Sequence, residues 1–210
     1  MTKEKSPDPN QDFSAIPIIT SDAIRTDSKK LVDDYCNLFE KSPDKAPGRA
    51  AQKIDTTKKM STDLSIDLKS NEPEVKDYYK ELNKVIKKYK NKYKYSDKGQ
   101  DAWGIVEKWN IQKYNPGEGF FELHCERSGL NTTLRHLVFM TYLNDVTDKG
   151  ETEWHYQKLK IKPKKGLTVI WGSDWTFMHK GIASPTQTKY IATGWYSYII
   201  NPDNLLYKIF

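Results

Sequence analysis

The strongest constraint on the fold is a change in hydrophobic period near Trp103. Before that residue, apolar positions recur at helical spacing, whereas after it they alternate with polar positions as in strands. All six tryptophans, all four histidines and nine of the eleven glycines lie after residue 100. Aromatic side chains and glycine-containing turns favour strands and hairpins. The pattern predicts helices in the N-terminal half and a β-rich C-terminal half.

Two segments of the N-terminal half have the pattern of amphipathic helices. The first contains an apolar stripe made of Leu31, Val32, Tyr35, Leu38 and Phe39. The second continues to Tyr93 and begins after Asn71, a candidate cap, with Pro73 in the first turn. The stretch between them, residues 42–68, predicts a loop with short extended pieces.

The C-terminal half contains eight candidate strands separated by turn residues. They are Ile105–Tyr114, Phe120–Glu126, Leu134–Leu143, Thr152–Tyr156, Leu159–Ile161, Leu167–Trp171, Thr176–His179 and Lys189–Ile199. Short strands at this spacing indicate a sandwich or barrel-like β fold. We expect one domain, with a polar disordered tail over residues 1–12, a helical support region over 13–100 and a catalytic core over 101–210.

Composition and charge exclude several classes of protein. No apolar run is long enough to span a membrane or to act as a secretory signal, and two cysteines cannot form a disulfide scaffold. We therefore expect a soluble, cytoplasmic protein. The net charge is +6, but the lysines at 84–94 and 158–165 have the spacing of solvated faces, which disfavours a nucleic-acid partner.

A His-x-Glu pair is the most informative short motif. His124 and Glu126 share one face of their predicted strand, whereas Cys125 points to the other face with Phe121 and is expected to be a packed thiol. With a distant third ligand such as His179, two histidines and one carboxylate would form the facial triad of non-haem Fe(II) oxygenases. By itself the pair is a weak signal, because such spacing often occurs by chance.

The surrounding spacing strengthens this interpretation. Tyr114 lies ten residues before His124, and Lys189 lies ten residues after His179. Trp195 follows Lys189 by six residues and shares its strand face. A lysine buried in a barrel needs an anion to offset its desolvation, and a metal-bound dicarboxylate cosubstrate would supply one.

Taken together, these residues resemble the 2-oxoglutarate- and Fe(II)-dependent dioxygenases, and in particular their prolyl 4-hydroxylase-like branch. The resemblance covers about half the chain and rests, in chain order, on Tyr114-Asn-Pro-Gly-Glu-Gly-Phe120, His124 with Glu126, Arg135, Thr141-Tyr-Leu-Asn144, Gly150-Glu-Thr152, Trp154, Pro163-Lys-Lys-Gly166, His179, Lys189 and Gly194-Trp195. It implies a mainly β fold with N-terminal helices and a double-stranded β-helix core of the jelly-roll, cupin-like type.

The resemblance also implies a catalytic metal centre. His124, Glu126 and His179 would hold Fe(II), and Lys189 would bind the distal carboxylate of 2-oxoglutarate by a charge-assisted hydrogen bond. The reaction would consume O2, with ascorbate as a candidate reductant, and release succinate and CO2 while an unactivated C–H bond is hydroxylated.

Other residues would shape the cosubstrate pocket. Tyr114 and Tyr142 would donate hydrogen bonds to 2-oxoglutarate, Thr152 would line the pocket and Trp195 would form a wall. For both tyrosines and for Trp195, plain packing is the alternative. Arg135 would contact substrate or form a structural salt bridge. The two remaining histidines, at positions 136 and 155, are interpreted as structural or surface residues.

Two departures from the family pattern narrow the chemistry. The usual carboxylate ligand is Asp, and Glu126 is one methylene longer; because a carboxylate is kept, oxygenation is expected and halogenation is disfavoured. At the position that would bind the distal carboxylate, the chain has Lys189 rather than Arg. In this feature it resembles the collagen-type and short bacterial or viral hydroxylases. An Arg-x5-Arg pattern typical of nucleic-acid demethylases is absent.

The substrate stays open at this stage. Peptidyl proline is the leading hypothesis, and a free amino acid, another protein side chain or a small metabolite are alternatives. The competing class is a non-catalytic jelly-roll module that binds a partner through its basic face. Residues 48–70 and 145–150 are candidate lids, and the oligomeric state is not predicted.

Overall fold

A computed structural model of the chain describes residues 19–21, 29–51 and 53–200, so the predicted tail at 1–12 lies outside the described residues. The described part contains helices α1 (Lys29–Lys41) and α2 (Pro73–Lys92). Its strands are β1 (Ile19–Ser21), β2 (Lys45–Pro47), β3 (Thr62–Ile66), β4 (Trp103–Gly104), β5 (Trp109–Tyr114), β6 (Phe120–His124), β7 (Arg135–Tyr142), β8 (Thr152–Trp154), β9 (Leu159–Ile161), β10 (Thr168–Gly172), β11 (His179–Gly181) and β12 (Lys189–Tyr198). Within these ranges no helix has the length and apolar character needed to cross a bilayer.

The strands form two antiparallel sheets. The larger has the order β1-β10-β7-β12-β5-β3-β2, with β4 also paired to β12, and the smaller has the order β6-β11-β8-β9. Neighbours in the sheets are mostly distant in the chain, as in a jelly-roll. The predicted mainly β fold with N-terminal helices is confirmed. The N-terminal half also contributes strands, because β2 and β3 extend the larger sheet beyond β5.

Alternation along the strands creates two cores on opposite faces of the larger sheet. One core lies beneath α1 and α2 and includes Trp109, Ile111, Phe139 and Tyr196 from the sheet. The other lies on the opposite face and consists of Tyr114, Val138, Met140, Tyr142, Trp154, Val169, Trp171, Phe177 and Ile191. The helices therefore cover one face of the sheet and leave the other to line a cavity.

Helix α2 follows its apolar pattern closely, since Val75, Tyr78, Leu82 and Ile86 are all buried. Its start differs from the predicted cap. Glu72 is the N-cap and Pro73 begins the helix, a position where the missing proline N–H costs nothing. Asn71 instead accepts a 3.3 Å hydrogen bond from the Lys76 ammonium.

Two sequence predictions about strands are wrong. The segment Thr176–His179 is not one strand: a 3-10 turn covers Trp175–Phe177, and β11 begins rather than ends at His179. The Asp174 side chain accepts the Thr176 N–H at 2.9 Å and starts that turn. On β6, the predicted packed face is exposed, with Phe121 and Leu123 retaining 39% and 38% of their accessible surface.

A β-bulge in β7 changes which side chains reach the cavity. Tyr196 pairs with Leu137 but the next residue of β12 pairs with Arg135, so His136 is the extra residue. His136 consequently contacts the helix side, where its Nε2 lies 2.8 Å from the Ser96 carbonyl and its ring packs on Trp103. This supports the structural interpretation of His136, although simple alternation would have directed it towards the cavity.

Gly194 allows β12 to pass close to its neighbours, which leads to a stability prediction. A Cβ on Gly194 would lie 2.5 Å from Trp109 Cβ and 2.6 Å from Phe139 Cζ. Gly194→Ala should therefore lower the free energy of unfolding by about 1–3 kcal/mol or more through overpacking. Urea denaturation measures it, with Gly99→Ala as the control because a Cβ there meets nothing nearer than 3.8 Å. Equal unfolding midpoints for the two variants would contradict the prediction.

Candidate active site

The two predicted histidines meet through strand pairing rather than through sequence proximity. His124 ends β6 and pairs directly with His179, the first residue of β11, and their ring centroids are 4.3 Å apart. Glu126 follows two residues after His124, and its Oε1 lies 3.6 Å from the Nε2 of each histidine. One donor atom from each of the three side chains lies within 4.8 Å of the other two, which is close enough to share a metal ion.

Backbone contacts orient both imidazoles toward this cluster. His124 Nδ1 lies 2.8 Å from the Glu122 carbonyl, and His179 Nδ1 lies 2.9 Å from the Phe177 carbonyl. A carbonyl can only accept, so each Nδ1 carries the proton and each Nε2 keeps its lone pair on the cluster side. Such contacts are the usual support of metal-binding histidines. The donor set of two imidazoles and one carboxylate fits Fe(II).

The electrostatics of the cluster also suit a cation. Burial by itself would raise the pKa of the Glu126 carboxyl, but the adjacent imidazoles of His124 and His179 outweigh it and hold that pKa well below its usual range. Burial lowers the pKa of His179, and its neighbour His124 lowers it further. At neutral pH Glu126 is therefore an anion and His179 is neutral, the forms in which both bind metals.

Lys189 is a buried lysine that forms no ion pair within the described part of the chain, although the charge of Glu151 acts on it from a distance. Its side chain is 3% exposed, and its Nζ donates to the carbonyls of Gly150 at 3.0 Å and Ile182 at 3.2 Å. The other buried lysine of the described part, Lys59, pairs with Asp63 at 2.8 Å, whereas Lys189 has no carboxylate within ion-pair distance. Burial lowers the pKa of Lys189 to about 8. A bound anion would relieve this desolvation.

Of the two predicted hydroxyl donors, only Tyr114 is among the residues that line the cavity, which also includes His124, His179 and Lys189. The Tyr142 hydroxyl donates to Thr152 Oγ1 at 2.8 Å and is 3.1 Å from the Ile161 carbonyl. The Tyr114 hydroxyl donates to Gln112 Oε1 at 2.6 Å. Tyr142 itself is fully covered beneath Thr152, so Thr152 rather than Tyr142 lines the cavity.

Arg135 and Trp195 form one stacked unit beside the cluster. The guanidinium carbon of Arg135 lies 3.5 Å above the Trp195 ring, and two hydrogen bonds of 3.0 and 2.7 Å join Arg135 to Glu107. The Trp195 indole N–H donates to Glu126 Oε2 at 2.8 Å. Arg135 is therefore held in a salt bridge, which is one of the two alternatives raised from the sequence, and it also lines the cavity.

The comparison with protein families agrees with the geometry. Residues 109–197 match the family model of the 2OG-Fe(II) oxygenase superfamily, and this stretch contains the His-Glu-His cluster and Lys189. The matched stretch covers 89 of the chain's 210 residues. Together with the metal cluster, it identifies an oxygenase that uses Fe(II) and 2-oxoglutarate with O2. No curated protein sequence matches the chain.

Solved structures show that this oxygenase has the prolyl 4-hydroxylase fold. A Pseudomonas putida prolyl-4-hydroxylase aligns with a TM-score of 0.67 at 16% identity, over 89% of this chain and 95% of that one. A viral collagen prolyl hydroxylase from Paramecium Bursaria Chlorella virus-1, solved with 2OG, has a TM-score of 0.63 at 19% identity and covers 88% and 98%. A Trichoplax adhaerens prolyl hydroxylase, in complex with a hypoxia inducible factor peptide fragment, has a TM-score of 0.68 at 16% identity and covers 87% and 84%.

The structure of the oxygenase adds polar cavity residues that the sequence analysis missed. Gln112 Nε2 donates to Asp63 at 3.1 Å, and Asp63 in turn pairs with Lys59, so Tyr114 ends a buried polar chain. Gln112 could have been found from the sequence because it shares the strand face of Tyr114. Lys59 and Asp63 could not, because tertiary pairing brings them to the site: Asp63 through the pairing of β3 with β5, and Lys59 through a bridge to Phe120.

The remaining sequence candidates in the oxygenase lie apart from the metal cluster. Cys125 is not among the grouped metal-ligating atoms of the described part, and its thiol contacts the Arg127 carbonyl at 3.6 Å. His155 packs on Tyr156 in the exposed turn after β8. Of the predicted lid at 48–70, Arg49 and Ala51 border the cavity, whereas 62–66 form strand β3, from which Asp63 and Ser65 also line it.

Proposed function

We propose that the oxygenase hydroxylates a proline residue within a peptide or protein. In this proposal His124, Glu126 and His179 hold Fe(II), and Lys189 binds the distal carboxylate of 2-oxoglutarate. With both bound, Fe(II) would supply the oxidising chemistry: one oxygen atom of O2 would enter succinate as 2-oxoglutarate loses CO2, and the other would enter a C–H bond of the substrate. The protein positions the reactants and excludes water from them.

Thr152 and Lys189 would hold the cosubstrate from two sides. Thr152 Oγ1 already accepts from Tyr142, and among the described residues the acceptor for its own proton is the Met140 sulfur, at 3.9 Å. The Thr152 hydroxyl can therefore donate to a cosubstrate oxygen, while the hydrogen bond from Tyr142 fixes the orientation of that hydroxyl. Tyr114 would donate as well once its hydroxyl turns from Gln112, and its ring already lies 5.0 Å from the Lys189 ammonium.

The size and the lining residues of the cavity support a peptide as the substrate. The cavity has a volume of about 840 Å³, which is well beyond the needs of a small dicarboxylate. Beyond Lys189 it runs over polar side chains of the larger sheet, including Ser65, Asn110 and Thr193, and it is bordered by the loops that follow β2 and β6. Polar side chains between two surface loops can form hydrogen bonds with the backbone of an extended peptide.

Hydroxylation assays can test this proposal directly. The full chain would be supplied with Fe(II), 2-oxoglutarate and O2, and with proline-containing peptides, the same peptides with alanine in place of proline, and free proline. We expect one added oxygen atom on the proline peptides alone, with equimolar succinate. Succinate production with free proline or a metabolite, and none with any peptide, would contradict the peptide assignment while leaving the oxygenase class intact.

A further inference from the structure

The two carboxylate oxygens of Glu126 have different surroundings. Oε1 faces the histidines at 3.6 Å from each Nε2. Oε2 accepts the indole N–H of Trp195 at 2.8 Å and lies 3.5 Å from Nη1 of Arg135. One oxygen is thus directed to the metal position, and the other is occupied by protein donors.

The Trp195 indole, which donates to Oε2, is itself held in place by Arg135. Arg135 covers the Trp195 ring at 3.5 Å and also donates to the Glu126 backbone carbonyl at 3.2 Å. Glu107 binds Arg135 through both of its carboxylate oxygens, and Ser197 donates to Glu107 at 3.0 Å. A planar guanidinium can make all these contacts at once, which a lysine ammonium cannot do. The backbone and the side chain of Glu126 are therefore held by one unit.

A glutamate at this position needs such support more than an aspartate does. The additional methylene adds a rotatable bond, so ordering Glu on a metal costs more conformational entropy. A free carboxylate could also turn and present both oxygens to the metal. A hydrogen bond to the anionic Oε2 is charge-assisted and strong enough to select one orientation.

We infer that Trp195, held by Arg135 and Glu107, is a positioning residue that makes Glu126 a one-oxygen metal ligand. This inference rests on the proposed metal role of Glu126. It assigns Trp195 to the carboxylate ligand rather than to the wall of the cosubstrate pocket. It also gives Arg135 a function without contact to substrate.

Metal titration tests the inference without requiring turnover. Co(II) serves as the probe because its visible absorption reports the ligand number and geometry. Trp195→Phe should weaken Co(II) binding by about 10- to 100-fold, the usual effect of losing a group that orients a metal ligand, and should alter the absorption spectrum. Trp175→Phe is the matched control, because Trp175 is 66% exposed and outside the cavity, and it should bind Co(II) as the wild type does.

A double-mutant comparison with Glu126→Asp separates positioning from general stability. Aspartate is one methylene shorter and would not reach Trp195 while it binds the metal. Trp195→Phe should then change the Co(II) affinity of the Glu126→Asp protein by only about twofold or less. A change as large as in the wild-type background would mean that Trp195 acts through packing, and would overturn the inference.

Two further outcomes distinguish the inference from the function on which it rests. Equal Co(II) affinity and spectrum in wild type and Trp195→Phe would overturn the inference and leave the metal site standing. No Co(II) binding by the wild type would overturn the metal site and the inference together. If Trp195→Phe fails to fold, Glu107→Gln replaces it, because it loosens Arg135 without removing a ring; a severalfold weaker affinity is expected, and an unchanged one counts against the inference.

Discussion

Replacement of Lys189 by alanine is expected to weaken 2-oxoglutarate binding by about 100-fold or more, because a buried anion loses its charged partner. Fe(II) binding should be unaffected, since Lys189 is not a member of the described metal cluster and its hydrogen bonds within the described residues go to the Gly150 and Ile182 carbonyls. The measurement is an anaerobic titration of the Fe(II)-loaded protein, followed by the visible charge-transfer absorption of the metal-bound cosubstrate. Unchanged affinity would remove Lys189 from the cosubstrate site.

The same assay gives a pH dependence with a defined sign. Burial lowers the pKa of Lys189 to about 8, so in the free protein the lysine loses its proton as the pH rises through 8. A bound carboxylate favours the protonated form, so binding raises this pKa. The dissociation constant of 2-oxoglutarate should therefore increase about tenfold per pH unit above 8 until the pKa of the complex is reached. Lys189→Arg is the control, because arginine stays charged and should abolish this dependence.

Lys189 also links the pH to the stability of the free protein. Protonation of a buried lysine disfavours the folded state, which is why its pKa is lower there than in the unfolded chain. The contribution of Lys189 to the free energy of unfolding is therefore fully present above the unfolded pKa and is lost as the pH falls through about 8. Saturating 2-oxoglutarate should reverse the loss below pH 8 by neutralising the buried charge. Thermal unfolding with and without the cosubstrate at pH 7 and pH 9 would show whether the stabilisation is larger at the lower pH.

Removal of the Glu126 carboxylate is the second change with a large expected effect. Loss of a group that merely orients a metal ligand lowers metal affinity by about 10- to 100-fold. Because Glu126 is proposed as a ligand itself, Glu126→Ala should weaken Fe(II) binding by more than about 100-fold. Turnover should disappear with it. Glu126 is partly buried beside two imidazoles and is the one anion among the three clustered donors, so no other member of the described cluster can take over its charge.

Glu122→Ala is the matched control for Glu126→Ala. Glu122 lies on β6, close to the same histidine, but its carboxylate pairs with Lys58 at 2.6 Å and is largely solvent-exposed. The backbone carbonyl of Glu122, which orients His124, stays in place in that variant. We expect wild-type Fe(II) affinity for Glu122→Ala. Equal affinity of both variants and the wild type would place the metal elsewhere.

Most of the fold class could be predicted because it depends on local periodicity. The period of two after Trp103 marked most of the C-terminal strands, and the apolar stripes marked both helices. The errors occur where a side chain overrides the pattern. Asp174 starts a 3-10 turn in a stretch that alternates like a strand, and the bulge at His136 reverses the faces of β7 beyond it.

The sequence by itself determined which groups could act together on one strand. Two-residue spacing places His124 and Glu126 on one face, and even spacing does the same for Lys189 and Trp195. Only the tertiary structure decided that His179, far along the chain, pairs with His124 and that Trp195 donates to Glu126. It also decided that Asp63 on β3 and Lys59 before that strand line the cavity. The physical reason is that alternation is local, whereas strand partners and register follow from the packing of the whole sheet.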